Sequence, residues 1–430
     1  MKINLTGDGW LDPTTVQLQF KLQNGEAKPL LLLGGPHVFF RRMRIICNGT
    51  IVEDVDQYNR IHEMFHILSN KNNRINDDVS NQNARWDSDK AYDLLTAAET
   101  DTGTATDSNN KALTQLDTKH LDWQLANDQS KVVSTKLCSG LLNQPKWLPL
   151  RYAPITIELE LVNQPTDVCV KARAGLADFE AADISQTWSI ENVEVKCDIC
   201  TLDNALDNSY VEHLLSGKNL PINYNTYISQ VQALAGTNIS VNVSRAVTRL
   251  KSIFVNFDKE ADPADTIKAP ADITKYIHGN FRLVKKPWNG FYHPMNGSLS
   301  LYKQPYESSM ELQVQIQIGS KLFPEYPITS VAESFAQLRK TLGILNSTAF
   351  SCDIDHKKYR TLHHIIAIDA EKTLQAGYTG LNTRMGDLLT VKIKSMNAAL
   401  TEDLMPDSMQ IILHSDQIMN IADTGVQVMD

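Results

Sequence analysis

The chain has 430 residues, 42% of them hydrophobic, enough for two cores of roughly 200 residues each. Its formal charge is −9, with 41 Lys and Arg spread along the sequence against 50 Asp and Glu, which disfavours nucleic-acid binding through phosphate neutralisation. Six cysteines (Cys47, Cys138, Cys169, Cys197, Cys200 and Cys352) make no disulfide framework in a chain of this length, and no secretory leader is read ahead of Trp10, so a reducing, intracellular folding environment is expected.

The first element is a strand in which Val16, Leu18, Phe20 and Leu22 alternate with Gln17, Gln19 and Lys21, one face dry and the other wet. The apolar run Leu30 to Leu33 stops at Gly34-Gly35-Pro36, far short of the roughly 20 residues that cross a bilayer. A second strand runs from Val38 to Cys47 and turns at Asn48-Gly49, a strong hairpin signal. The return strand Ile51 to Val55 leads through an acidic turn into a helix carrying Tyr58, Ile61, Phe65 and Leu68 at three- and four-residue spacing. From Ser69 to about Lys131 the sequence turns to Asn, Asp, Ser, Thr and Gly, read as one long exposed loop. Strands resume at Val132 to Cys138, at Ile155 to Val162 and from Trp188 to Ile199, followed by a short amphipathic segment through Leu206, Tyr210, Val211 and Leu214.

Beyond Gly217 and Pro221 the pattern starts again, with strands at Ile228 to Leu234, Leu250 to Phe257 and Met310 to Ile318. After the link Phe323-Pro324-Glu325-Tyr326-Pro327 comes the clearest helix. Ser330 is its N-cap with Glu333 three residues on, Val331, Phe335, Leu338 and Leu342 form one face, Arg339 and Lys340 sit in the last turn, and Gly343 stops it. The order of strand, Gly turn, acidic link and helix echoes Cys47, Gly49, Asp54 and the Tyr58 helix, a weak duplication of architecture. Strands near Ile365, at Leu389 to Ile393, Met409 to Leu413 and Gly425 to Met429 close the chain. Alternation rather than continuous apolar runs separated by helices excludes a doubly wound parallel sheet. The reading is all-β: two similar β-sandwiches in tandem, residues 1–203 and 222–430, joined by a linker over 204–221, with a few short helices in loops.

Two stretches carry a family resemblance. Gly34-Gly35-Pro36-His37-Val38-Phe39-Phe40-Arg41-Arg42-Met43-Arg44, with the following Glu53 to Phe65, and Gly319 to Gly343 with its Leu322-Phe323-Pro324-Glu325-Tyr326-Pro327 run, resemble the major capsid proteins of polinton-like viruses, in the adenovirus and PRD1 type of lineage. The resemblance implies that the two sandwiches are tandem eight-stranded jelly rolls, a double jelly roll, and that homotrimers form pseudo-hexagonal capsomers of an icosahedral shell. It also implies a place in the virion after assembly inside the host cell, minor capsid and penton proteins as partners, room for an inner membrane, and neither enzymatic activity nor cofactor. Residues 69–131 and 258–289 are then the outer-loop candidates. Arg41, Arg42 and Arg44 could meet acidic surface on a neighbouring copy, but strand alternation separates Arg41 from the other two.

The rival reading is a zinc-dependent metallopeptidase. His62-Glu63-Met64-Phe65-His66 places two imidazoles one helical turn apart, with Glu63 as general base for a bound water. The extended form of that motif fails after His66, where Ile67-Leu68-Ser69-Asn70-Lys71 follow, and ordinary helix histidines are the simpler reading. Cys197 and Cys200 have metal or redox spacing, but on a strand their sulfurs diverge. His356, His363 and His364 near Asp353 and Asp355 form a weaker metal candidate. A glycan- or receptor-binding β-sandwich is the third alternative, and the tryptophans it would use, Trp10, Trp86, Trp123, Trp147, Trp188 and Trp288, are dispersed.

Overall fold

The computed structural model describes residues 1–28, 30, 32, 34–81, 125, 129–169, 185–234, 238–258, 291, 312–345, 352–354, 359, 363–371, 380–384, 388–394 and 408–430. The first half contains β1 (Lys2–Leu5), β2 (Trp10–Asn24), β3 (Phe40–Cys47), β4 (Thr50–Asp56), α1 (Tyr58–Leu68), α2 (Lys71–Ser80), β5 (Ser130–Lys136), β6 (Leu148–Pro149), β7 (Ile155–Leu161) and β8 (Trp188–Cys200). After α3 (Asn204–Leu215), the second half contains β9 (Leu220–Ala233), β10 (Ile239–Asn242), β11 (Leu250–Asp258), β12 (Gln313–Ile318), β13 (Lys321–Ile328), α4 (Val331–Thr341), β14 (Ile365–Asp369), β15 (Leu389–Lys394), β16 (Ser408–Ala422) and β17 (Gly425–Met429).

Two-residue alternation becomes burial as expected. Val16, Leu18, Phe20 and Leu22 of β2 are buried, while Gln17 between them is exposed. The Asn48-Gly49 turn has positive φ at both residues, 47° and 81°, the geometry that matches the twist of the β3–β4 hairpin.

Each sandwich pairs two antiparallel sheets, and their strand orders correspond. One sheet of the first runs β1-β7-β3-β4, and one of the second runs β10-β15-β12-β13. In the facing sheets, β2 lies between β5 and β8 as β11 lies between β14 and β16. Leu11 stands opposite Leu148 as Leu250 stands opposite Leu381. A hairpin leads into a helix in both, β3–β4 into α1 and β12–β13 into α4. The weak duplication read from turn and helix signals is thus a repeat of topology.

Among the described residues, two apolar clusters form the cores. The second sandwich encloses Ile253, Val255, Phe257, Ile411, Leu413, Val314, Ile316, Val391 and Ile393. The first sandwich's core is larger because it continues onto the opposite face of the β11–β16 sheet, taking in Tyr224, Phe254, Ile365, Ile412 and Met419. That sheet is therefore buried on both faces, which accounts for the nearly unbroken burial along β11 and the first ten residues of β16.

The structure corrects several local expectations. The polar stretch from Ser69 begins with α2, whose N-cap Asn70 accepts from the Asn73 N–H at 2.8 Å. Tertiary contacts hold it, since the Lys71 N–H donates to Asp353 Oδ2 at 2.7 Å. The rest of the predicted loop over 82–124, and nearly all of the 258–289 candidate, lie outside the described residues. The Phe323 to Pro327 link is part of strand β13. The acidic residues expected to open α1 lie on β4, and the helix starts from Gln57 with left-handed φ of 53° and no acidic residue in its first turn. It forms because it is buried nearly all round, where packing outweighs capping. In α4, Ser330 caps the Glu333 N–H at 3.1 Å, but the Glu333 carboxylate accepts from Thr329 at 3.2 Å instead of from the cap residue.

Candidate functional site

The candidate residues on α1 lie deep in the first sandwich. Glu63 is fully buried and accepts a hydrogen bond from His37 Nε2 at 2.7 Å, and the Gly34 backbone closes on the same carboxylate. His62 stacks on His37 with ring centroids 4.1 Å apart, and its Nδ1 lies 3.2 Å from the Tyr58 hydroxyl. His66 turns its Nδ1 toward Asp77 of α2, 3.4 Å away. The motif's glutamate is thus engaged by a third histidine, which spacing alone did not point to. Among the described residues, no group of three or more His, Cys, Asp or Glu side chains is arranged to hold a metal ion.

The other candidates separate. Cys197 and Cys200 are free thiols along β8. His363 bridges to Phe291 and His364 is buried against Phe257 and Tyr359, while His356 and Asp355 lie outside the described residues, as do Trp86, Trp123 and Trp288. Trp10 packs on Tyr210 and Trp188 on Phe39, so these two form no shared platform. Arg42 makes a bidentate pair with Asp54 at 2.7 and 2.6 Å, Arg44 lies 3.3 Å from Glu158, and Arg41 donates to Asn163. Arg42 and Arg44 are matched by carboxylates within the chain, whereas Arg41 meets a neutral amide; the Asp54 carboxylate holds the Arg42 guanidinium above its ordinary range, and Lys2, then Arg44, hold the Glu158 carboxyl below its own.

The most developed polar and aromatic arrangement is the seam between the sandwiches. Phe65 of α1 meets Tyr227 and Phe254 of the second sandwich, with centroids 4.8 and 5.5 Å apart. The Tyr224 hydroxyl reaches the Val52 carbonyl, Ser229 Oγ donates to the Asp56 carbonyl at 2.8 Å, and Thr50 Oγ1 donates to the Val426 carbonyl at 3.0 Å. Strand β4 is thereby tied along its length to β9 and β17.

Glu53 supports this seam from behind. Its buried carboxylate accepts from the Ser139 hydroxyl, from the Gly140 N–H at 3.0 Å and from the Leu141 N–H at 3.4 Å. Burial pushes its pKa up to about 7, against the lowering effect of those three donors. The loop it holds lies against β9 so closely that a Cβ on Gly140 would stand 1.7 Å from the Asn225 carbonyl oxygen. None of Glu53, Tyr224, Ser229 or Gly140 had a sequence signal as a seam residue, because each acts across more than 80 positions of chain.

Two jelly-roll sandwiches of one topology, fused through a buried seam, make this an all-β protein of the double jelly-roll fold. Its structure is similar to that of VP54 of PBCV-1 as fitted into a reconstruction of the virophage Sputnik, with a TM-score of 0.57 at 12% identity over 100% of this chain and 92% of that one. It is similar also to a chain of the PBCV-1 virus capsid (TM-score 0.52, 10% identity, 100% and 92% covered). The Faustovirus major capsid protein matches with a TM-score of 0.50 at 9% identity, covering 98% of this chain and 88% of that one. No family model matches the sequence, and no curated protein does. At identities this low the likeness is one of fold alone.

Proposed function

We propose that the chain is a major capsid protein, the structural subunit of an icosahedral viral shell, of the kind found in polinton-like viruses. The observation that carries this reading is the fusion of two topologically equivalent sandwiches into one block. Three such blocks supply six similar units and can tile as a pseudo-hexagon. Sandwich sheets also leave edges and end loops that neighbouring copies can cover. The likeness in fold to the capsid proteins of PBCV-1 and Faustovirus supports it. The matched Arg42 and Arg44 direct subunit contacts elsewhere than a basic patch.

In this reading the domains are 1–203 and 222–430 with a linker at 204–221, and the protein works in the virion with further copies of itself, minor capsid proteins and pentons. It needs no cofactor and has no enzymatic activity, and His62, Glu63 and His66 serve packing. Light scattering with negative-stain imaging of the purified chain tests the proposal. A particle of three times 48.2 kDa with a hexagonal outline is expected. A globular monomer would overturn the capsomer assignment, and stoichiometric zinc lost on changing His62 or His66 would favour the metallopeptidase.

A further inference from the structure

The two sandwiches differ at one pair of corresponding strands. β4 and β13 are each the return strand of the hairpin that leads into a helix, and each stands at the end of its sheet order. β4 is covered by the second sandwich, which lies along it through Tyr224, Ser229 and Val426, and its Val52, Glu53 and Val55 are buried. β13 has the equivalent place in the second sandwich, yet its Leu322 is 42% and its Tyr326 78% exposed.

The exposure of Tyr326 is built into the strand. Val314 of β12 stands opposite Ile328 and Ile316 opposite Phe323, so the residues Pro324-Glu325-Tyr326-Pro327 bulge out against the single residue Gln315. The Gln315 side chain holds the bulge, donating from Nε2 to the Pro324 carbonyl at 2.9 Å and to the Glu325 carbonyl at 3.1 Å. Bulges at sheet edges re-aim side chains, and the one held outward here is a tyrosine, which brings an apolar ring and a polar tip to an interface. Pro324 and Pro327 have no N–H to offer, so this edge resists extension of the sheet by another strand and favours contact through side chains. The join at β4 is of that kind, since side-chain hydroxyls of Tyr224, Ser229 and Thr50 meet carbonyl oxygens across it.

We propose that the β13 bulge is the contact by which the second sandwich of one copy seats against the first sandwich of a second copy of this chain. The argument is repetition. Within the chain, the first sandwich presents its return strand to the second. The same step applied once more carries β13 onto a first sandwich, and the chain's own is already engaged at β9 and β17, so another copy supplies it. The two surfaces that meet are then different, the head-to-tail arrangement that generates a ring when its rotation closes. This inference rests on the capsid reading and deepens it by naming the strand that joins copies.

The test uses the full chain in two variants, Tyr326→p-benzoylphenylalanine as a photoreactive probe and Tyr326→Asp. Light scattering of the unaltered chain is read first, and the probe variant is then mixed with isotope-labelled chain that carries no probe and illuminated. The expected result is an assembly in which position 326 of one copy is cross-linked to residues 1–203 of a labelled copy. Tyr326→Asp, at a side chain 78% exposed in the single chain, should keep the circular dichroism spectrum and assemble only at a concentration at least roughly tenfold higher. An assembly that forms equally well with Tyr326→Asp, or that cross-links from position 326 to residues beyond 203 or to no other copy, would overturn this inference and leave the capsid reading standing. A chain that stays monomeric would overturn both.

Discussion

The phenolic oxygen of Tyr224, on the first strand of the second sandwich, lies 2.9 Å from the backbone carbonyl oxygen of Val52 in the first and 2.7 Å from Gln417 Oε1. All of this is buried, and burial raises the Tyr224 pKa, so the hydroxyl stays protonated and keeps a hydrogen to donate. Tyr224→Phe keeps the ring in the shared core but removes a donor beside two buried acceptors. The expected cost is about 1–3 kcal/mol, the usual penalty for a buried group left unsatisfied. Urea unfolding reads it as a lower midpoint with an unchanged slope.

Gly140 tests how tightly the seam is closed. A methyl group there collides with the backbone of Asn225, and backbone yields less readily than a flexible side chain. Gly140→Ala should destabilise the fold by about 1–3 kcal/mol or more through overpacking. Gly49→Ala is the informative contrast, since no atom lies within 4 Å and only the positive φ of 81° opposes it. A thermal midpoint for Gly140→Ala equal to that of the unaltered chain would mean that the loop stands off from β9.

Glu53 makes stability depend on pH in a defined direction. Its carboxyl titrates near 7 in the folded chain, against an ordinary value of 4.5. Between those values the folded state holds a proton that the unfolded state has shed, so stability falls as pH rises through the window and levels above about 7. Glu53→Gln should remove this contribution. Unfolding midpoints at pH 5 and pH 8, compared between the two proteins, give the slope directly.

His414 works in the opposite sense. It is half-buried on β16 of the second sandwich, its ring stacked on Tyr227 and 3.0 Å from Ser252 Oγ. Burial first, and then the Lys251 charge, push its pKa down to about 3 from 6.5. The unfolded chain takes up a proton here that the folded chain refuses, so stability is lost as pH falls from about 6.5 toward 3. His414→Phe preserves the stack and should flatten the acid limb. Acid unfolding followed by tryptophan fluorescence would reveal this, and an unchanged acid midpoint would show that another group controls it.

Much of the architecture is written locally. Alternation in β2 and β7, the Asn48-Gly49 turn and the Ser330 cap each depend on neighbours within a few residues, so the sequence displays them directly. The duplicated order of hairpin and helix is legible for the same reason. Helix α2 was hidden because its support comes from Asp353, far along the chain. The return strand β13 was read as a link because prolines at 324 and 327 interrupt its alternation.

By itself the sequence determined an acidic, all-β chain of two tandem sandwiches, since a dry face and a wet face are recorded residue by residue. Only the tertiary structure decided what the sandwiches do to each other. It placed Phe65 against Tyr227 and Phe254, buried Glu63 against His37, and covered β16 with β9. The physical reason is distance along the chain. Periodicity specifies which side of a strand is apolar, whereas the partner that buries it is chosen by shape and by hydrogen bonds between residues separated by 26 positions for His37 and Glu63 and by 172 for Val52 and Tyr224.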